Sequence, residues 1–280
     1  MQYKQITPAT VGLTPENISK NRYKDVIPYD ESRVKLTPVD GAEGSDYINA
    51  SYVNGVVKDH EYIAAMGPLA STADDFWRMV WQEKVYVIIT ACNEYEGCPK
   101  KCHRYWSQDV LDDVEFGDIS IKLDEETQES PDFICRSLRV SRGGEERLLS
   151  QLHYLSWPDR SVPSSVESIL NLITTMRQKQ ASRSGPILVH CSAGCGRTGT
   201  IIAVDYVWNL IKLAKLPEQF SLKALVLKMR KQRPAFVQAP EQYKFLHECV
   251  AELFLQHLSK VKGHTYENCV LNEDEAVRLD

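Results

Sequence analysis

The 280-residue chain is 43% hydrophobic and 25% charged, with a formal net charge of −5. Those proportions belong to a globular protein with a buried core, and they exclude full-length disorder and a collagen-like chain. Five acidic residues fall in the last sixteen, against Arg278 alone, so the rest is close to neutral and lacks the basic stripe that nucleic acid requires.

From the N-terminus, residues 1–14 read as a lead-in broken by Pro8, with no charged-then-apolar leader pattern. Thr14-Pro15-Glu16-Asn17 has the form of a helix start, with a hydroxyl cap, a proline in the first turn and an acid behind it. Residues 44–65 read as short strands and turns. Ser71 to Trp81 reads as a helix with Phe76, Trp77, Val80 and Trp81 on one face. Val85 to Ala91 is a continuous β-rich run, as expected of a strand covered on both faces. Segments 116–123, 133–140 and 147–155 alternate and predict antiparallel strands. Helical spacing of Ile169, Leu172, Ile173 and Met176 predicts a helix over 167–180. Pro186 to His190 predicts a second buried strand, and helices are expected over 198–213, 221–232 and 239–259. The pattern is neither strict βαβ alternation nor all-β. It predicts one α/β domain over 15–262, followed by a mobile acidic tail over 263–280. No run approaches the ~18 apolar residues of a membrane span, and a cytoplasmic monomer is expected.

Eight cysteines do not make a disulfide scaffold in a chain long enough to build its own core. Cys98, Cys102 and His103 have a spacing compatible with zinc, but no second ligand pair follows, so no metal and no cofactor are expected.

The densest chemistry lies in His190-Cys191-Ser192-Ala193-Gly194-Cys195-Gly196-Arg197-Thr198. A predicted strand enters it and a predicted helix leaves it. Five small residues between Cys191 and Arg197 let the backbone curl into an anion-binding nest, to which the helix N-terminus adds its positive end. Arg197 supplies a planar fork that matches two oxygens of a tetrahedral phosphate. Surroundings of this kind favour thiolate over thiol, and the thiolate is the nucleophile. Attack on phosphorus would give a phosphocysteine and split one difficult step into two.

This loop resembles the signature of the cysteine-based protein tyrosine phosphatases. Further motifs agree in family order: Lys20 to Asp25, Asp46 to Ser51, Gly67-Pro68-Leu69, Asp75-Phe76-Trp77, Lys101 to Trp106, Trp157-Pro158-Asp159 and Gln238 to Tyr243. Cys195 within the loop, Val162 to Ser165 and Met229 to Pro234 resemble the PEST-type non-receptor branch. The resemblance implies a central, highly twisted mixed β-sheet flanked by helices. It also implies hydrolysis of phosphotyrosine in proteins. Asp159 becomes the general acid that protonates a leaving group of pKa ~10, carried on a closing loop with Trp157 and Pro158. Gln238, with Gln242, positions the hydrolytic water, and Thr198 hydrogen-bonds the leaving sulfur. His190 tunes the thiolate rather than shuttling protons. Glu96, preferred over Glu94, pairs with Arg197, and Lys101 contacts the acid loop. Ser192, Ala193, Gly194, Cys195 and Gly196 line the phosphate cradle. Tyr23 stacks on the substrate ring and sets a depth that phosphoserine cannot span, while Asp25 accepts from the substrate backbone. Cys92 is expected behind the loop, in reach of a protective disulfide with Cys191, with two ordinary thiols an equal alternative.

Two departures from the family stand out. Ala65-Met66 replace a usual Thr-Gln, which is expected to loosen a buried hydrogen bond near the site, and Arg160 stands where a histidine is common. Dual-specificity or lipid phosphatases lack the Tyr23 motif, and non-catalytic phosphotyrosine-binding relatives lose the Cys, Arg or Asp that are all present here. Rhodanese-like sulfur transfer has no use for Asp159 and the glutamines. Tyr266-Glu267-Asn268 in the tail resembles an SH2 ligand once phosphorylated. The chain reads as the catalytic part of a longer protein.

Overall fold

The computed structural model describes residues 7–110, 112–158, 161–181 and 183–276, with side chains through residue 259. Asp159 and Arg160 therefore lie outside the described residues, as does the side chain of Tyr266.

Nine strands form one mixed sheet: β1 (Arg33–Lys35), β2 (Tyr47–Val53), β3 (Tyr62–Met66), β4 (Val87–Thr90), β5 (Asp113–Phe116), β6 (Ile119–Gln128), β7 (Phe133–Arg142), β8 (Glu145–Tyr154) and β9 (Ile187–Cys191). Their order is β1-β2-β3-β9-β4-β8-β7-β6-β5. The four central strands β3, β9, β4 and β8 run parallel, and both ends of the sheet are antiparallel. The continuous apolar runs became the central strands, β4 and β9, in which every residue is buried. The alternating segments became the long hairpin arm β6–β8. Gly143 and Gly144, with φ of +56° and +84°, close its last hairpin with the two left-handed residues that the strand twist favours.

The helices are α1 (Pro15–Ile18), α2 (Ala73–Gln82), α3 (Val166–Gln180), α4 (Gly196–Lys212), α5 (Leu222–Arg230) and α6 (Pro240–Ala276). Helix α4 is apolar on nearly all sides because it lies between β3 and β9, on one side, and α3 and α6, on the other. Helix α2 packs on β5 and β6 and sends Phe76 and Trp77 into the core, where Trp77 Nε1 donates to Tyr105 O at 2.8 Å. Buried apolar side chains from Val34 to Leu253 form one contiguous cluster. The helix expected over 239–259 continues to Ala276, and β1 and β5 form where no strand was expected.

Candidate active site

Strand β9 has parallel neighbours on both sides, with His190 beside Ala65 and Thr90, and Cys191 beside Met66. This pairing brings Cys191 out at the carboxyl edge of the sheet, the usual position of a site in such folds. The chain then turns through Ser192 to Cys195 into α4. Gly194 adopts φ +70°, and its N–H donates to Cys191 Sγ at 3.3 Å. A Cβ there would lie 2.2 Å from Ala65 O, so only glycine fits.

The outward carbonyls of the loop are gathered by Arg233. It is fully buried and donates to Gly194 O, to Ala193 O at 3.0 Å, to Asn49 Oδ1 at 2.9 Å and to Ser51 Oγ at 3.2 Å. With these carbonyls held on Arg233, the Gly194 amide faces the sulfur. Burial draws the Arg233 pKa below its usual value, although a guanidinium stays charged. The sequence reading noted the segment around Arg233 but gave this residue no role. Its signal, one arginine before a proline, does not reveal a partner 39 positions away.

Arg197 opens α4 and is held as a fork by Glu96, with Nη2 at 2.9 Å from Oε2 and Nη1 on Oε1. It also donates to Ala91 O at 3.0 Å and Pro158 O at 3.3 Å, and its guanidinium lies 5.8 Å from the Trp157 ring. Burial alone would lower the Arg197 pKa, but the Glu96 pair outweighs it and raises the value. Lys101 Nζ is 4.0 Å from Glu96, whereas Glu94 pairs with Arg104. Trp157 is buried, with Nε1 donating to Ser161 O at 2.9 Å, and Pro158 is exposed.

Tyr23 stands at the rim. Ser192 Oγ donates to Lys101 O at 2.9 Å, so in its 2.8 Å contact with Tyr23 it accepts and the phenol donates. Asp25 is exposed. Arg22 anchors this segment on Gly67 O, Pro68 O and Lys100 O, and its N–H points to Met66 Sδ at 3.2 Å. The thioether is thus a weak acceptor at this position, and a small void lined by Met66, Ile48, Asn49 and Phe76 lies beside it.

At the start of α6, Gln242 Oε1 accepts from Gln238 N at 3.0 Å and Ala239 N at 3.2 Å. The Gln242 amide lies so close to Gly196 that a Cβ there would meet it at 2.8 Å. Gln238 is exposed, and its Oε1 faces the Cys195 thiol at 3.8 Å. Burial, reinforced by Cys191, pushes that thiol up to about 12. Ala235 and Val237 carry φ of +57° and +52°, and Arg230 donates to Phe236 O at 2.7 Å and Val237 O at 2.6 Å. Arg230, like Arg233, lies in the Met229 to Pro234 motif, and its local sequence gives no sign of these contacts.

Behind the loop His190 is fully buried, and burial lowers its pKa to about 4. Its ring is therefore neutral at pH 7. Thr198 Oγ1 is buried and finds no hydrogen-bond partner among the described residues. The donor atoms of Cys92, Cys102 and His190 lie within 4.8 Å of one another, in place of the Cys98, Cys102 and His103 grouping weighed from spacing. Each of the three is already engaged. A hydrogen bond with Cys102, ahead of burial, holds the Cys92 thiol well above its usual pKa, Cys102 Sγ donates to His103 O at 3.2 Å, and His190 Nε2 meets Tyr105. Protonated thiols are poor metal ligands.

The protein-tyrosine phosphatase family profile matches residues 17–252, and the chain belongs to that family. The fold and the loop around Cys191 are those of a protein-tyrosine phosphatase catalytic domain. Among relatives, human tyrosine-protein phosphatase non-receptor type 12 is 46% identical over 261 residues, 93% of this chain and 33% of that protein. Human non-receptor type 18 is 46% identical over 271 residues, 96% of this chain and 59% of that protein. The crystal structure of the type 18 catalytic domain superposes with a TM-score of 0.86 at 47% identity, covering 89% of each chain. A complex of that phosphatase with HER2 phosphopeptides gives a TM-score of 0.84 at 47% identity, over 88% of this chain and 91% of that one. The chain thus spans between a third and three fifths of these two curated relatives. Among the described residues, no helix is long and apolar enough to cross a membrane.

Proposed function

We propose that the chain removes phosphate from phosphotyrosine in proteins, with residues 15–262 as the catalytic domain and Cys191 as the nucleophile. The observation that carries this reading is the Gly194 N–H pointing at Cys191 Sγ from a loop that Arg233 and Glu96–Arg197 hold in place. The Cys191 thiolate attacks phosphorus while the bond to the phenolic oxygen breaks, and Asp159 gives that oxygen its proton. Arg197 and the amides of Ser192 to Gly196 hold the phosphoryl oxygens as charge develops on them. Water, placed by Gln238 with Gln242, then attacks the phosphocysteine and returns a proton to Asp159. The S–P bond breaks, phosphate leaves, and Thr198 supports the departing sulfur. Lys101 contacts the acid loop. Tyr23 sets the pocket depth, and Asp25 accepts from the substrate backbone.

Several finer assignments rest on sequence resemblance. We place the chain in the PEST-type branch, with its brain-derived phosphatase member as the specific candidate. It acts as a cytoplasmic monomer, phosphorylated Tyr266 is an SH2 ligand, and peroxide joins Cys92 to Cys191. The phosphopeptide complexes of the type 18 relative make peptides of that class the natural first substrates.

The test compares phosphate release from a phosphotyrosine peptide and its phosphoserine twin, without added metal, for the native chain and Cys191→Ser. We expect release from phosphotyrosine alone, abolished by the substitution. Release from both peptides would remove the role given to Tyr23. Tight binding without release would make the chain a non-catalytic phosphotyrosine reader.

A further inference from the structure

A polar path that the chemistry above does not use runs through the interior from the sheet surface to the nucleophile. At its outer end Arg136 Nε, on β7, donates to the half-exposed Glu126 at 2.7 Å. The rest of Arg136 is buried, with its guanidinium 4.9 Å from the Trp106 ring. Its Nη1 lies 3.1 Å from Gln151 Oε1 and 3.1 Å from His153 Nδ1, both on β8. Gln151 Nε2 lies 2.9 Å from Tyr105 Oη and 3.1 Å from Thr90 Oγ1. Tyr105 Oη is 2.7 Å from His190 Nε2, and His190 Nδ1 faces Cys191 O at 3.4 Å.

The first member of this path constrains the bonds that follow it. A guanidinium only donates. Gln151 must therefore present its oxygen to Arg136 and both amide hydrogens to Tyr105 and Thr90. The opposite amide orientation would set N–H against N–H in a buried site, where an unpaired polar group is costly. Tyr105 and Thr90 both accept from Gln151 and lie 2.8 Å from each other, and both reach His190 Nε2, at 2.7 and 3.1 Å, so whichever hydroxyl hydrogen their mutual bond leaves over points to that nitrogen. With Nε2 accepting, the neutral His190 ring carries its hydrogen on Nδ1, facing the carbonyl of the nucleophile residue. The same logic makes His153 Nδ1 an acceptor and its Nε2 the donor to Cys92 O at 3.0 Å.

We propose that Arg136 and Gln151 are positioning residues that fix the Nδ1–H tautomer of His190 and, through it, the setting of Cys191. The kinetic half of the proposal rests on Cys191 being the nucleophile; the tautomer half does not.

Nitrogen-15 spectra of the histidine rings, with His190 identified by comparison with His190→Gln, read the tautomer in the native chain. We expect a protonated Nδ1 and a bare Nε2 at pH 7. Gln151→Glu keeps the shape and reverses the polarity, because a carboxylate oxygen in place of Nε2 takes the hydrogens of both Tyr105 and Thr90 away from His190. In that variant the ring hydrogen should appear on Nε2, and kcat on a phosphotyrosine peptide should fall about tenfold with KM within about twofold. Gln151→Met removes the amide without reversing anything, so it should keep the Nδ1–H form and lose less than Gln151→Glu in kcat. A bare Nδ1 in the native chain overturns the proposal, and it does so even if Gln151→Glu fails to fold. An unchanged tautomer in folded Gln151→Glu also overturns it. A switched tautomer with native kcat removes the positioning role. If the native chain releases no phosphate at all, the functional reading fails while the ring spectra still decide the tautomer.

Discussion

The loop after β9 and the Trp157-Pro158 segment meet at Arg197 but are held by opposite means. Residues 191–197 are fastened from beneath by two buried guanidinium groups, Arg233 through four acceptors and Arg197 through both oxygens of Glu96. Among the described residues, the Trp157-Pro158 side is held mainly by one indole. The indole of Trp157 sits among Tyr154 and Phe245 and donates to Ser161 O, while Pro158 is exposed and offers only its carbonyl to Arg197. Groups that bind charge in the transition state work best when they need no rearrangement. A group that must approach and withdraw in each turnover needs a segment with few buried contacts. The difference predicts that damage to the two loops will be read by different instruments.

The largest effect is expected at the acid loop, and in activity alone. Asp159→Ala removes the proton donor and should lower kcat about 10²- to 10⁴-fold, the usual worth of a positioned general acid. Its urea midpoint should match the native one. A variant that kept its rate would take the acid role from Asp159. On the other side, Arg233→Met should give the reverse signature. It leaves four acceptors, three of them buried, without their donor, and we expect a loss of about 3 kcal/mol or more in urea unfolding. Affinity for inorganic phosphate should fall with it, because the loop carbonyls are free to turn inward. Native stability in Arg233→Met would mean that the nest closes without it.

The two regions also differed in how far the sequence made them readable. The nucleophile loop is contiguous from His190 to Thr198, and its strand-to-helix setting was visible in the apolar runs on either side. The residues that hold it are not contiguous. Arg233, Arg230 and the Tyr105–Gln151 path act across the fold, and nothing local distinguishes them from surface arginines or a mid-strand glutamine. Strands β1 and β5 escaped notice for a related reason. Arg33–Lys35 is three residues long and begins and ends in a charge, and Asp113–Phe116 is four residues long, too short for its alternation to stand out from the neighbour it pairs with. The choice of Glu96 over Glu94 came from family resemblance. The physical distinction is that Glu94 is held by Arg104.

The smallest expected effect concerns protons, and it again belongs to the rigid side. His190 and His153 are buried in the neutral form, with pKa values of about 4 and about 3. Burial is the main cause for both, with Arg22 adding to it at His190 and Arg136 at His153. In the unfolded chain each would titrate near ~6.5. As pH falls below ~6.5 the unfolded state takes up protons that the folded state refuses, so stability declines through that window and levels off only below the folded values. Between pH 7 and pH 5 each histidine should therefore remove about 2 kcal/mol from the unfolding free energy. His153→Gln retains an acceptor for Arg136 and a donor for Cys92 O but cannot titrate. Urea unfolding at the two pH values should show a smaller acid loss in this variant than in the native chain, by about that amount. An identical acid loss would mean that His153 binds its proton within the fold. The Arg136 contact would then have to open at pH 5, and the sheet interior would be less rigid than the loop it supports.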